Sequence, residues 1–231
     1  MKLLSVDTAT ISCGVAVADG PVIIARTTIV STVTHSRHLL QVIDDTLKNA
    51  GLTVKDLDGF AVTRGPGSFT GLRISIGTIK GLAAALGKPV AGISTLEALA
   101  WPFARSPLMV CPLIDARKGE VYTCRYRFDN GAITVLAPEA VLAPEKAVAD
   151  ISEPCIFTGT GVEVCGPAIA AAVRENARFA PPFQNAIDPG VVAWLGAQRL
   201  AQDQAEDLDA FAPVYLRKPD AVIHQQKPVG S

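Results

Sequence analysis

Apolar positions open the chain in short runs, Leu3-Leu4, Val6, Cys13–Ala18 and Val22–Ala25, broken by Asp7-Thr8 and Asp19-Gly20. This pattern predicts three strands, Lys2–Val6, Ser12–Ala18 and Val22–Thr28. Asp19-Gly20 gives the last two a hairpin turn. Leu39, Leu40, Ile43, Leu47 and Ala50 then recur at helical spacing and predict a helix over Ser36–Ala50, stopped by Gly51. Gly59–Thr63 reads as a strand, Ser68–Leu86 as a long helix closed by Gly87, and Val90–Ile93 as a strand. Ser94 with Glu97 forms a capping box for a helix to about Phe103.

A second cycle begins after Pro107. Leu108–Ile114, Glu120–Phe128 and Ala132–Leu136 are expected as strands, with Asn130-Gly131 as a tight turn. Pro144–Asp150 suggests a short helix, Cys155–Thr158 a strand and Gly166–Asn176 an alanine-rich helix. Asp188 caps and Pro189 begins a last helix to about Gln202, and Pro213–Arg217 reads as a short terminal strand. The order, strand triplets with helical crossovers repeated twice, predicts an α/β fold with two mixed sheets flanked by helices. It resembles the duplicated ribonuclease-H-like domains of actin, Hsp70 and the sugar kinases. The expected domains are 1–105, completed by the helix and strand of about 188–217, and 106–187, with 218–231 a loose tail.

Composition narrows the class. At 231 residues, 49% apolar and 19% charged, the chain has enough material for a packed core and is not of disordered type. It has no run of 18 apolar residues and no charged-then-apolar leader after Lys2, so a cytoplasmic protein without membrane contact is expected. Five scattered cysteines make no CxxC pair and suggest buried thiols rather than disulfides. Lys plus Arg number 21 against 22 for Asp plus Glu. A protein gripping nucleic acid alone normally carries a basic excess, so any RNA is expected to be held by something else.

Two strand-end turns carry candidate chemistry. Val6-Asp7-Thr8-Ala9-Thr10 ends the first strand where the actin/Hsp70 superfamily usually has Asp-x-Gly-Thr. There the carboxylate organises a metal-bound water and the glycine admits phosphate; Ala9 opposes that approach with a methyl group. Asp7 and Thr8 are otherwise expected to satisfy backbone donors of the turn. Arg64-Gly65-Pro66-Gly67-Ser68-Phe69-Thr70-Gly71-Leu72-Arg73 joins a strand to a helix, a natural place for an anion. It matches neither the Gly-Lys-Ser/Thr phosphate loop nor GxGxxG, which argues against an autonomous nucleotide-hydrolysing loop. Arg64, Gly65, Ser68 and Arg73 thus remain candidates, with Asp7 and Thr8, for a vestigial nucleotide or shared-ligand site. In the second cycle Asp115-Ala-Arg117-Lys-Gly-Glu120 stands where a duplicated fold would place its other phosphate turn. Asp115, Arg117 and Glu120 are expected either to join that site or to form local ion pairs worth little.

The helix after the first turn carries Gly67, Gly71 and Ser75 at intervals of four, and likewise Gly77, Gly81 and Ala85. Each interior glycine costs roughly 1 kcal/mol relative to alanine, which close packing must recover. Two small-residue faces exceed what one sheet needs, so a helix-to-helix contact with a partner is expected, with the preceding helix as neighbour. Its members are His38, Gly67, Thr70, Gly71, Ile74, Ser75 and Thr78. His35 and His38 at i, i+3 make a poor metal pair, so no metal is expected. The three histidines supply no convincing base for nucleophilic catalysis, so no catalytic residue is nominated.

Leu4-Ser-Val-Asp7-Thr-Ala-Thr, the Arg64–Arg73 turn, Gly92-Ile-Ser-Thr-Leu-Glu97-Ala-Leu-Ala, Asp115-Ala-Arg-Lys-Gly-Glu-Val-Tyr122 and Pro213-Val-Tyr-Leu-Arg217 together resemble the TsaB (YeaZ) family, in order across residues 2–217. The resemblance implies a non-catalytic, dimerising subunit for making N6-threonylcarbamoyladenosine beside the anticodon of ANN-decoding tRNAs. It implies pairing with the catalytic paralogue TsaD through N-terminal-domain helices, joined by the ATPase TsaE, with a homodimer when alone and tRNA met only through the complex. No cofactor of its own is implied; ATP or ADP would enter at the assembled complex. His35-Ser-Arg-His38 falls one residue short of the paralogue's His-x-x-x-His metal motif. A stand-alone ATP-dependent transferase or kinase of the actin/Hsp70 superfamily is the alternative.

Overall fold

The computed structural model describes residues 1–30 and 38–217. The expected helix start at Ser36, His35 of the histidine pair, and the 218–231 tail lie outside them. The strands are β1 Lys2–Asp7, β2 Ser12–Asp19, β3 Val22–Val30, β4 Gly59–Gly65, β5 Val90–Ser94, β6 Met109–Asp115, β7 Val121–Asp129, β8 Ala132–Leu142, β9 Cys155–Thr158 and β10 Ala177–Phe179. The helices are α1 Leu39–Asn49, α2 Phe69–Leu86, α3 Thr95–Ala100, α4 Pro144–Val148, α5 Gly161–Val173 and α6 Pro189–Ala201.

The first sheet has the order β3-β2-β1-β4-β5 and the second β10-β9-β6-β7-β8. Taken from opposite ends, the two orders are the same. In each, three antiparallel strands lead to two more that are added parallel across helices. Hairpins suffice for the antiparallel neighbours, whereas parallel ones need a crossover. The duplication expected from the element order is therefore present.

Central β1 is buried on both faces, and its side chains alternate between two cores. Leu4 and Val6 join Val15, Phe60, Val62, Leu39, Ile43, Ile76 and Ile79 beneath α1 and α2. Leu3 points the other way, toward Ala61, Ile93, Val192 and Leu195, where α6 covers the sheet. Ser5 is fully buried beside α6 and donates to the Pro189 carbonyl at 2.6 Å. That second core continues through Leu96 and Leu99 of α3 to Val110, Ile114, Tyr126 and Phe128 of the second sheet, so both lobes share one apolar interior. The second sheet's other face closes on α4 and α5 through Cys111, Leu113, Phe157 and Ile169. Each such fully buried side chain contributes about 1.5–3 kcal/mol. All five cysteines are buried and free.

Local chemistry sets the boundaries. Ser68 caps α2 by accepting from the Gly71 N–H, and Gly87 ends it in the left-handed conformation at φ 62°. Ser94 caps α3 and Asp188 caps α6, with Pro189 in its first turn. Several bounds differ from expectation. In α1, Val42 faces inward and Leu40 is 63% exposed, because the buried stripe is Leu39, Val42, Ile43, Thr46 and Leu47. Helix α5 begins five residues before the expected Gly166 and carries Pro167 inside it, tertiary packing of Cys165 and Ile169 overriding the local preference. The expected terminal strand at Pro213–Arg217 is absent. Pro213 has no N–H, and the segment makes one backbone bond to the sheet, Val214 N–H to the Arg64 carbonyl at 2.7 Å.

Candidate functional site

Parallel pairing of β1 with β4 brings their C-terminal ends together, so the Asp7–Thr10 turn and the Gly65–Gly71 turn meet at one edge. Asp7 is completely buried. Its Oδ1 accepts the Thr63 hydroxyl at 2.7 Å and the Ala9 N–H at 3.1 Å, while Oδ2 is buried without a hydrogen bond among the described residues. Burial pushes the carboxyl up to about 6, against the opposing pull of the Thr63 and Ala9 hydrogen bonds. Cys13 rises to about 11 through its own burial and the nearby Asp7 charge.

The two turns are locked together by hydrogen bonds. Ser68 N–H donates to the Ala9 carbonyl at 2.7 Å, and the Thr8 hydroxyl donates to the Gly71 carbonyl at 2.7 Å. Gly71 N–H goes to Ser68 Oγ at 3.2 Å and Leu72 N–H to the Ser68 carbonyl at 2.9 Å. A Cβ on Gly67 would overlap the Ala9 carbonyl, and one on Gly71 would overlap the Thr8 carbonyl. The glycines therefore admit the chain's own backbone at close approach. The second turn is folded inward in the same way. Arg117 N–H bonds Asp115 Oδ1 at 2.7 Å, Ala116 N–H the Glu120 carbonyl at 2.9 Å, and Glu120 N–H the Arg117 carbonyl at 3.1 Å.

This packing corrects part of the expected partner face. Gly71 and Ser75 are buried in the chain's own interior, Ser75 donating to the Leu72 carbonyl at 3.2 Å, and Gly67 is pressed against Ala9. The small-residue row that faces outward on α2 is instead Gly77 and Gly81, around which a Cβ would meet open space. Thr70 is exposed beside it, and Ile74 and Thr78 are half-buried on the same side. His38 is exposed at the start of α1, one residue before the buried Leu39 and two before the exposed Leu40.

The remaining candidates are brought together by the C-terminal segment. Arg64 pairs with Glu206 at 2.9 Å beside a cavity of about 170 Å³ that Asp207 and Phe211 also line. Arg73 lies over the Phe69 ring at 4.0 Å and donates to the Tyr215 hydroxyl at 3.1 Å, with Phe69 and Tyr215 stacked 5.0 Å apart. Arg217 pairs with Glu120 and donates to the Ala116 carbonyl at 2.5 Å, tying this segment to the second lobe. Glu206, Phe69 and Tyr215 take their places here through long-range contacts. Their contacts span 142 positions or more, and no local periodicity marks such a pairing. Among the described residues no cluster of three or more His, Cys, Asp or Glu is arranged to hold a metal. No helix among them is long and apolar enough to cross a membrane.

Two mixed sheets of one topology, joined through one apolar interior and flanked by helices, define a duplicated ribonuclease-H-like protein of the actin and sugar-kinase class. Solved structures agree. A ROK hexokinase from Thermus thermophilus superposes with a TM-score of 0.53 at 14% identity, over 87% of this chain and 100% of that one, which speaks for the fold alone. The family model described as TsaD: tRNA N6-adenosine threonylcarbamoyltransferase matches residues 28–225. The tRNA threonylcarbamoyladenosine biosynthesis protein TsaB of Escherichia coli (strain K12) is 32% identical over 226 residues, 94% of this chain and 95% of that protein. TsaB of Bacillus subtilis (strain 168) is 28% identical over 96% of each chain. YeaZ from Pseudomonas aeruginosa superposes with a TM-score of 0.78 at 30% identity, over 93% of this chain and 99% of that one. The chain belongs to the TsaB (YeaZ) family, within the broader threonylcarbamoyltransferase group.

Proposed function

We propose that this protein is a non-catalytic subunit that binds a TsaD-type transferase and supports threonylcarbamoyl transfer to the adenosine beside the tRNA anticodon. The family membership supports a place in threonylcarbamoyladenosine biosynthesis. The observation that carries the non-catalytic part is the self-filled turn. Thr8 and Ala9 occupy the space over Gly67 and Gly71, and the Ser68 N–H is spent on Ala9. The net charge of −1 supports contact with tRNA through the complex rather than directly.

The docking face in this reading is the outward side of α2 and the start of α1: His38, Leu40, Thr70, Ile74, Gly77, Thr78 and Gly81. Small residues let a partner helix approach near backbone contact, as in tightly packed helix pairs. Arg64, paired with Glu206, and Arg73, stacked on Phe69, are the side chains this reading offers to a ligand shared with the partner. The test is a pull-down of TsaD by this chain, followed by tRNA modification with TsaD, TsaE and ATP in its presence and absence. Modification undiminished without the chain would remove the subunit reading. One observation favours the second reading, a stand-alone ATP-dependent transferase: the buried, unpartnered Oδ2 of Asp7. Mg-ATP binding by the isolated chain, lost in Asp7→Asn, would support it.

A further inference from the structure

The chain has two tryptophans, Trp101 and Trp194, and both line one cavity of about 450 Å³ on the flank of the first lobe, remote in sequence from the strand-end turns. The cavity lies where the β2–β3 hairpin, the single turn after α3 and the start of α6 converge. The indoles meet edge to face, their centroids 4.6 Å apart at 69°, and Trp101 also packs against Phe128 at 5.1 Å. Ile23 extends the apolar wall, and Trp194 is 36% exposed at it. The indole N–H of Trp101 is directed to Glu97 at 3.5 Å.

Three charged residues line the same space: Arg26, Asp188 and Arg105. Asp188 is fully engaged, Oδ2 with Arg26 at 2.5 Å and Oδ1 with the Gly190 N–H at 2.8 Å, so that pair is neutral as a unit. Arg105 has no hydrogen bond or ion pair among the described residues. Among the described residues, the cavity therefore carries one guanidinium without a partner beside two indoles. The space is open toward solvent and combines apolar walls with a few placed polar groups. Aromatic faces favour a planar ring, and the lone guanidinium favours one negative group on it.

We propose that this cavity binds a planar aromatic anion of about two fused rings, the ring against Trp101 and Trp194 and the negative group at Arg105. The proposal is independent of the subunit reading, since the cavity lies apart from the outward face of α2. The test uses the full chain, 15N-labelled at its tryptophan indoles, titrated with 2-naphthoate and with its neutral isostere 2-naphthamide. Both indole N–H signals should shift saturably with 2-naphthoate, which should bind more tightly than the amide. Arg105→Ala, at an exposed position, should weaken 2-naphthoate roughly fivefold or more and leave 2-naphthamide unchanged. Trp194→Ala should weaken both ligands while the Trp101 signal reports that the fold persists. Unmoved indole signals, equal affinity for acid and amide, or an unaltered 2-naphthoate affinity in Arg105→Ala would each overturn the proposal.

Discussion

Asp7 is a carboxyl group with little room for its charge. It is fully buried, one oxygen is unpartnered, and its ionisation is pushed up to about 6 from the usual 3.8. The folded state therefore holds the proton that the unfolded state releases. The stability contribution of the protonated form is complete below pH 4 and is lost as pH rises through 6. Two units correspond to roughly 3 kcal/mol. Asp7→Asn, which keeps an acceptor for Ala9 and Thr63, should be more stable than the wild type at pH 8, and that advantage should shrink toward pH 5. Urea unfolding of both proteins at the two pH values measures the difference, in which other titrating groups cancel. A constant gap across pH would refute the assignment. Gly71 is the second residue-scale case. Gly71→Val drives a side chain into the Thr8 carbonyl, so a loss of about 3 kcal/mol or more, seen as a lower urea midpoint, is expected.

At the scale of the element, α2 is a helix with two kinds of small-residue row. Gly71 and Ser75 accept the β1 turn, whereas Gly77 and Gly81 face open space. Gly77→Arg and Gly81→Arg should leave the monomer folded, with melting unchanged or raised, since each removes a helix-interior glycine costing about 1 kcal/mol. The same variants should lose at least roughly tenfold in TsaD pairing and in homodimer formation, judged by pull-down and size exclusion; a tenfold change corresponds to about 1.4 kcal/mol. Unchanged pairing would remove this face from the interface. The spacing of four was visible along the chain, yet it could not say which row turned inward. Periodicity gives relative orientation around a helix, while the absolute rotation follows from where Leu72, Ile76 and Ile79 bury. The same holds for α1, where Leu40 matched the helical spacing but Val42 occupies the core.

Across the whole molecule, the last segment joins what the duplication separates. After α6, Glu206 N–H bonds the Val90 carbonyl at 2.8 Å and Val214 N–H the Arg64 carbonyl at 2.7 Å, holding the segment to the first lobe. Arg217 then reaches Glu120 and Ala116 of the second. Arg217→Ala leaves a carbonyl and a carboxylate without their donor, for which a loss of about 1–3 kcal/mol is expected. Faster proteolysis near the second lobe's Asp115–Glu120 turn, with the first sheet's amide-exchange protection retained, is the pattern that would report an interlobe tie. Element types, the doubled order of strands and helices, the buried thiols and the family blocks were legible along the chain, because they depend on local patterning and on residue types that recur at short range. The filling of the Gly65–Gly71 turn by Thr8 and Ala9, the orphaned oxygen of Asp7 and the joining of Trp101 to Trp194 were not. Each depends on residues 56 or more positions apart meeting after the sheets have formed, and such contacts leave no trace in spacing.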